Sequence, residues 1–401
     1  GIRVHLVERE QELGGLIRGV QTLFPTEQNT DELLRPLIEQ VEDHPQISVY
    51  LGAVVEKTTG FIGDFEVSVR ANGEAGDLKV GTIIVATGAV ELKPEGLYGY
   101  SEWPNVVTQL EFEERFKSGS DLPRSVVIIN CVGARVPHRT YCGRFCCTTA
   151  IKNAIWIKQQ DPETSVYVLH RDVMAYGVDI EEFYRRAMEL GVRFVRYDVE
   201  SPPQVLGEAR AEAIKVQHQL MGREVVLPAD LVVLTTPLVA RDDNEQLSKM
   251  LKVPLGSEGF FLEAHLKLRP IEFATDGVYV CGSARYPCNI PESVSQAYAA
   301  AAKASIPIRE GQVRVEAITA VCDERTCSAC GNCVEVCPFG AVELLEGRWG
   351  KAAHVNQAQC KGCGCCVAAC PSGAMQQKGF NDRQLLSMIG ALAEEIARGG
   401  A

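Results

Sequence analysis

The sequence predicts an α/β chain built on parallel sheets and followed by a small cysteine-rich domain. Three observations predict it. Short apolar runs of strand length (Ile2–Val7, Ser125–Asn130, Val166–His170, Leu231–Thr235) are separated by segments of helical period. Two of the strand-like stretches run into small-residue turns, at Ala86-Thr87-Gly88 and Gly282-Ser283. Eight cysteines then recur in one register between Cys327 and Cys370.

That register is an internal repeat. It reads C-x-x-C-x-x-C-x-x-x-C-P twice, at Cys327, Cys330, Cys333 and Cys337-Pro338, and again at Cys360, Cys363, Cys366 and Cys370-Pro371. The spacing is that of two-cluster bacterial ferredoxins, in which the fourth cysteine of each run ligates the other run's cluster. One [4Fe–4S] cluster is therefore expected on Cys327, Cys330, Cys333 and Cys370, the other on Cys360, Cys363, Cys366 and Cys337. Three thiolates from seven residues converge only through tight turns, for which Gly331, Gly340, Gly364 and Gly373 supply the backbone freedom. Two zinc sites built from C-x-x-C steps are the competing reading, which the Cys-Pro closure of each run disfavours.

Composition bounds the rest. A chain of 401 residues has room for two or three domains. With 40 basic and 52 acidic residues its net charge is −12, which argues against nucleic acid or an anionic membrane as partner. No run of eighteen apolar residues occurs and no secretory signal is read at the start. Sixteen cysteines in C-x-x-C and vicinal patterns read as metal ligands in a reducing compartment, so a cytoplasmic setting is expected.

Taken in order, Ile2–Val7 is a strand ending at Glu8, followed by Leu13-Gly14-Gly15. An acidic residue at such a strand end accepts ribose hydroxyls in dinucleotide-binding folds, although a solvated glutamate is an equal reading. The G-x-G-x-x-G loop that should lie about twenty residues earlier is absent, so the sequence is expected to lack the first βα unit. Asn29 or Thr30 caps a helix with Leu33, Leu34, Leu37, Ile38 and Val41 on one stripe. Strands follow at Ile47–Leu51, Val54–Thr58 and Phe65–Arg70, and Val80–Ala89 reads as a buried strand running into Ala86-Thr87-Gly88. Glu8, Leu13-Gly14-Gly15 and the Ala-Thr-Gly end together resemble two-dinucleotide flavoproteins of the thioredoxin-reductase type. That resemblance implies FAD.

The middle of the chain reads as a βαβ unit, Ser125–Asn130, a helix over Ala150–Gln160, then Val166–His170. A glycine-rich phosphate loop belongs after its first strand. The chain has instead Cys131-Val132-Gly133-Ala134-Arg135 and then Cys142-Gly143-Arg144-Phe145-Cys146-Cys147. Four cysteines at a strand end and a helix start predict a third cluster; a redox dithiol or core cysteines are the plainer readings.

These residues carry a specific resemblance. Cys131–Arg135 with Tyr141–Ala154, then Tyr176-Gly177 with Glu182-Phe183-Tyr184, Asp243-Asn244-Glu245, Gly259–His265, Ala274–Gly277, Ile290–Ala297 and Gln376-Gln377-Lys378, resemble the HdrA family of heterodisulfide reductases over essentially the whole chain. The resemblance implies that Cys131, Cys142, Cys146 and Cys147 hold a non-classical [4Fe–4S] cluster. It implies FAD contacts from Glu8, Arg9, Gly14, Gly15, Val55, Ala86, Thr87, Gly88, Gly282, Ser283, Ile290, Pro291, Ser293 and Val294. A helix after Pro291 would aim its positive end at the flavin ring. The archaeal pattern has a ferredoxin insertion and a C-x-x-C after Thr-Phe-Pro-Thr; here Leu23-Phe24-Pro25-Thr26 leads directly into a helix, as in shorter bacterial relatives. Cys281 and Cys288 read as buried thiols, and Cys322 and Cys365 as packing residues.

The expected divisions are 1–110, the first part of an FAD-binding domain; 111–245, a degenerate NAD-like domain carrying the cysteine loop; 246–310, the return to the FAD domain; 311–378, the ferredoxin domain; and 379–401, a C-terminal helix. Leu385, Leu386, Ile389, Leu392 and Ile396 stripe that helix, which packs on its own domain or docks a partner.

The function expected is an FAD and iron–sulfur electron-transfer subunit, an oxidoreductase with no catalytic residue assigned apart from the flavin. Resemblance adds electron bifurcation, and as partners HdrB- and HdrC-like subunits, hydrogenase- or NADH-dehydrogenase-like donors, soluble ferredoxin, and a homodimer within a larger complex. The alternative is a self-contained NAD(P)H-dependent flavin oxidoreductase reducing a ferredoxin-type acceptor. The cysteine-filled loop speaks against an NAD site in this chain, and flavin-site features at both ends of the split domain disfavour a non-catalytic scaffold.

Overall fold

The computed structural model of the chain describes residues 1–71, 73–313 and 317–399. The first strand, β1 (Val4–Val7), is joined through a 3₁₀ turn at Gly15–Gly19 and helix α1 (Thr30–Glu42) to β2 (Ile47–Tyr50), which pairs with it in parallel. Helix α1 begins at its cap. Asn29 Oδ1 accepts the N–H groups of Asp31 and Glu32 at 2.9 and 3.3 Å, and both acids sit where the helix dipole favours them.

Strands β3 (Ala53–Phe61), β4 (Asp64–Ala71) and β5 (Glu74–Val80) form an antiparallel meander, followed by β6 (Ile83–Val85). The buried strand expected to start at Val80 and run into Ala86-Thr87-Gly88 is shorter and covered on one face only. Val80 closes β5, and along the short β6 the side chains alternate, with Val85 buried and Ile84 41 % exposed.

The middle of the chain runs β7 (Val90–Glu91), β8 (Val106–Thr108), α2 (Gln109–Lys117), β9 (Ser125–Ile129), α3 (Cys146–Gln160), β10 (Ser165–His170), α4 (Val178–Glu189) and β11 (Arg193–Arg196). An antiparallel meander, β12 (Gln204–Leu206), β13 (Ala213–His218) and β14 (Arg223–Pro228), leads to β15 (Leu231–Leu234). Five of these strands make one parallel sheet in the order β11-β10-β9-β15-β8. Strand β9 is buried on both sides. Val126 and Ile128 pack with Ile151 and Ile155 of α3, while Val127 and Ile129 pack with Ile214 and Val216 of the meander. The helix predicted from Ala150 starts earlier, at Cys146, because Phe145 O accepts hydroxyl bonds from Thr148 and Thr149.

The chain then returns through β16 (Leu238–Val239), paired with β7, and α5 (Asn244–Leu251) to β17 (Val278–Val280), which runs parallel to β6. Helix α6 (Ile290–Glu310) follows and ends at Gly311 in the left-handed region, φ 65°. The last part pairs β18 (Ala320–Cys322) with β21 (Met375–Gln377) around a hairpin, β19 (Val342–Gly347) and β20 (Gly350–Val355), and two single-turn helices, α7 (Asn332–Glu335) and α8 (Cys365–Ala368). Helix α9 (Asp382–Ala397), capped by Asn381, closes the chain with no buried residue. Among the described residues no helix is long and apolar enough to cross a membrane.

Candidate functional site

The two cysteine runs fold alike. Each turns on a left-handed glycine, Gly331 (φ 85°) or Gly364 (φ 79°), that caps the one-turn helix carrying the third cysteine. The turns leave two hollows. One is lined by Cys327, Cys330 and Cys333 and by Cys370 of the other run. The second is lined by Cys360, Cys363 and Cys366 and by Cys337 of the first run. The structure thus gathers the eight thiols in the crossed sets expected from their spacing. Among the described residues no three His, Cys, Asp or Glu side chains gather tightly enough for one metal ion. The thiols stand around a space, which suits the four separate irons of a cubane better than a tetrahedral zinc.

Backbone N–H groups of Ala329, Ala320, Ala341 and Met375 donate to the sulfurs of Cys327, Cys360, Cys337 and Cys370 at 3.2–3.5 Å. Burial raises the Cys370 thiol pKa, but the donors from Met375 and Ser372 outweigh it and pull the value below that of a free thiol. Cys366 has no such surplus and burial pushes it up to about 11. Cys365, expected as a packing residue, is exposed: as the first residue of α8 it points away from the hydrophobic cluster that holds Cys366. Cys322 is half-buried on β18, where burial and the neighbouring Cys327 thiol push it up to about 12.

The middle cysteines sit at the switch point of the parallel sheet, where the chain leaves β9 towards β10 on one side and β15 pairs on the other. Cys131 follows the end of β9 with φ 64°; Cys146 and Cys147 are the first two residues of α3. The thiol of Cys146 donates to Thr236 O and that of Cys147 to Asp172 O, both at 3.6 Å, and the Arg144 N–H donates to Cys142 Sγ at 3.3 Å. All four interact electrostatically. Burial pushes Cys147 up to about 11 and Cys146 well up; burial also raises Cys131, against the pull of Arg171 and Arg135. A cluster bound as thiolates would meet those two guanidinium groups and the positive end of α3. The donor set therefore fits an anionic iron–sulfur group.

The residues expected around FAD fall into two groups. Ala86 and Thr87 lie exposed at the C-terminal end of β6, with Gly88 (φ 71°) open where a Cβ would point. Beside them are Gly282 (φ 67°) and Ser283 after β17, and Ile290, Pro291, Ser293 and Val294 in the first turns of α6. This is a cradle of small residues at the carboxyl ends of two parallel strands, facing a helix start, which fits a dinucleotide. Glu8, Arg9, Gly14 and Gly15 follow β1, whose Val7 packs against the core cluster of Val85 and Val280. Glu8 O accepts from Ala53 N–H at 2.8 Å, and Val55 lies two residues further along β3. The Arg9 guanidinium is paired with Asp243 at 2.7 Å. Cys281 and Cys288 are buried, and Cys288 Sγ is 3.1 Å from Ser293 Oγ.

Sequence reasoning missed the residues that join these places. Arg144, in the left-handed region at φ 67°, forms a fork with Glu292 of α6 (2.6 and 3.2 Å) and donates to Pro287 O at 3.0 Å. Its guanidinium carbon lies 4.7 Å from the centre of the Tyr286 ring, as does that of Arg285. Gln296 Nε2 donates to the Tyr286 hydroxyl at 3.0 Å, and Gln296 Oε1 accepts the Gly282 N–H at 3.0 Å. Glu292 is also the third helical residue of a capping box with Asn289. That N-x-x-E signal was present in the sequence.

Comparison with known proteins adds three findings. The family described as "4Fe-4S dicluster domain" matches residues 326–374. The HdrA iron-sulfur protein of the CoB–CoM heterodisulfide reductase of Methanocaldococcus jannaschii is 34 % identical across 98 % of this chain and 74 % of its own length. That alignment runs over 493 positions, more than the chain's 401 residues, so the relative carries sequence this chain lacks. The corresponding HdrA protein of the H(2):CoB-CoM heterodisulfide,ferredoxin reductase from Methanothermobacter thermautotrophicus is 41 % identical over 80 % of this chain and half of its own length. Among solved structures, the thioredoxin reductases of Thermoplasma acidophilum ("T. acidophilum") and Lactococcus lactis superpose with TM-scores of 0.51 and 0.52. They cover 75 % and 77 % of this chain, and 89 % and 100 % of their own, at 15 % and 14 % identity. The fold is of the thioredoxin-reductase type, followed by the dicluster domain.

Proposed function

The chain belongs to the HdrA family of heterodisulfide reductase proteins, oxidoreductase components, and from that premise we propose that it carries FAD and three [4Fe–4S] clusters as an electron-transfer subunit. One observation carries the proposal. Four cysteines fill the switch point of the middle sheet, and the arginine between them reaches the first turn of the helix that faces the small-residue cradle. A flavin supplies conversion between electron pairs and single electrons. The chain's own residues do the holding. Glu8 stands where a ribose hydroxyl would be received, Ala86–Gly88 and Gly282 leave room for close approach of a pyrophosphate, and the start of α6 favours negative charge on the ring.

Cys131, Cys142, Cys146 and Cys147 hold the first cluster of the relay, and the two crossed sets of the dicluster domain hold the others. Resemblance to components of multi-subunit reductases supports partners of the HdrB and HdrC kind, a hydrogenase- or NADH-dehydrogenase-like donor or soluble ferredoxin, homodimers within the complex, and the splitting of electron pairs to acceptors of different potential. The reducing conditions that such clusters need favour a cytoplasmic setting.

Anaerobic purification of the chain with flavin analysis, followed by dithionite and then NADH in separate samples, tests the reading. Bound FAD that bleaches with dithionite and not with NADH is expected. Direct bleaching by NADH would favour the self-contained NAD(P)H oxidoreductase, and a chain without flavin would defeat both.

A further inference from the structure

Arg144 touches both halves of the proposed relay. Its backbone N–H donates to Cys142 Sγ at 3.3 Å, while its guanidinium forks onto Glu292 in the first turn of α6. Glu292 has a second duty, since its Oε2 also accepts the Asn289 N–H at 3.2 Å. One carboxylate is therefore shared between the cap of α6 and the cysteine loop. The contact is held from a second side, because the same guanidinium lies over the Tyr286 ring and Tyr286 is tied through Gln296 to the Gly282 amide. The loop holds Arg144 in the left-handed region, a conformation unfavourable for a non-glycine residue, which persists only where surrounding contacts over-determine it.

We propose that Arg144 is a positioning residue that sets both the separation and the electrostatic balance between the cysteine loop and the flavin-facing helix. The inference rests on the proposed function. A carboxylate in the first turn of α6 would oppose negative charge on a reduced flavin; the guanidinium cancels it. The bidentate fork with Glu292, the Pro287 carbonyl bond and the stacking on Tyr286 also fix the loop to the helix, which a single charge would not do.

The test uses the full chain with its cofactors, in four forms: native, Arg144→Gln, Arg144→Lys, and Arg144→Gln combined with Glu292→Gln. Three quantities are read: iron and flavin content, the flavin midpoint potential by spectroelectrochemistry, and the rate at which photoreduced flavin passes electrons to the clusters. Arg144→Gln is expected to lower the flavin potential, and the double variant to bring it back towards the native value. Arg144→Lys, which keeps the charge and loses the fork, is expected to hold the potential. All three variants are expected to slow transfer about tenfold or more, since small misplacements between reacting groups are costly. A native potential in Arg144→Gln, or native transfer rates in all three, overturns the inference alone. A native chain with about eight irons instead of about twelve, four per cubane, overturns the proposed third cluster and this inference with it.

Discussion

In the dicluster part, the cysteines proposed as ligands are also much of the core, whereas in the middle sheet the cysteines sit on top of a core that is complete without them. The hydrophobic cluster of the former contains Cys333, Cys360 and Cys366 among alanines and valines, with Met375 as its one long buried side chain. The middle sheet buries Val126–Ile129 and, on α3, Ile151, Ile155 and Ile157, all at or below 1 % exposure. A small core of small residues contributes little hydrophobic free energy, so metal binding there is in large part folding itself. A cysteine loop laid over a finished sheet leaves a scaffold that stands with or without the proposed third cluster.

Removing iron with a chelator under reducing conditions should separate the two regions most strongly. Amides of β18–β21 are expected to lose their protection in hydrogen exchange, while those of β9 and α3 keep theirs; loss in both regions at once would break the comparison. Single ligands come next. Cys337→Ser and Cys366→Ser are expected to remove the same cluster, about four irons, because the sets cross between runs. If Cys337→Ser instead removed the signal that Cys333→Ser removes, the crossing would be wrong.

The middle scaffold has its own weak point. Lys152 on α3 and Glu113 on α2 pair at 2.7 Å with both side chains 3 % exposed, and Lys152 also donates to Thr22 O at 2.7 Å. Lys152→Met leaves the buried Glu113 carboxylate without its counter-charge, with only the Gln21 N–H and Asn153 Nδ2 donating to it, at a cost of about 3–5 kcal/mol in urea unfolding, which adding Glu113→Gln should largely recover. A loss below about 1 kcal/mol would show that water reaches the pair.

The smallest effect is with pH. Burial at the end of β10, with Arg196 nearby, lowers the His170 pKa from 6.5 to about 4. Between those values the unfolded chain binds a proton that the folded chain refuses. Stability is therefore full above pH 6.5 and falls as pH drops towards 4, by up to about 3 kcal/mol. His170→Phe should flatten that part of the profile in melts of the iron-free chain. An unchanged slope would clear His170 of any part in acid sensitivity.

The same contrast governs what could be read from the residues. The dicluster sites were legible because three of the four cysteines in each expected set lie within one short run, where local spacing fixes local geometry, and the repeat itself supplies the fourth from the other run. The middle cysteines could be placed because they fill a position that the βαβ pattern defines. Arg144 and Glu292 could not be paired in advance: 148 residues separate them, and only the return of the chain to β17 and α6 brings them together. Ile84 shows the opposite limit. Its apolar run reads as a buried strand, yet only one face of β6 is covered. Nor does the stripe on α9 reveal its use, since amphipathic spacing is the same whether or not a surface lies against it.

Two structurally unrelated cysteine regions on one chain are proposed to hold iron–sulfur clusters. Iron analysis with electron paramagnetic resonance on the native chain and on Cys146→Ser tests this proposal most directly. About twelve irons in the native chain, falling to about eight in Cys146→Ser with the two dicluster signals unchanged, are expected. About eight irons in both proteins, with identical spectra, would contradict it.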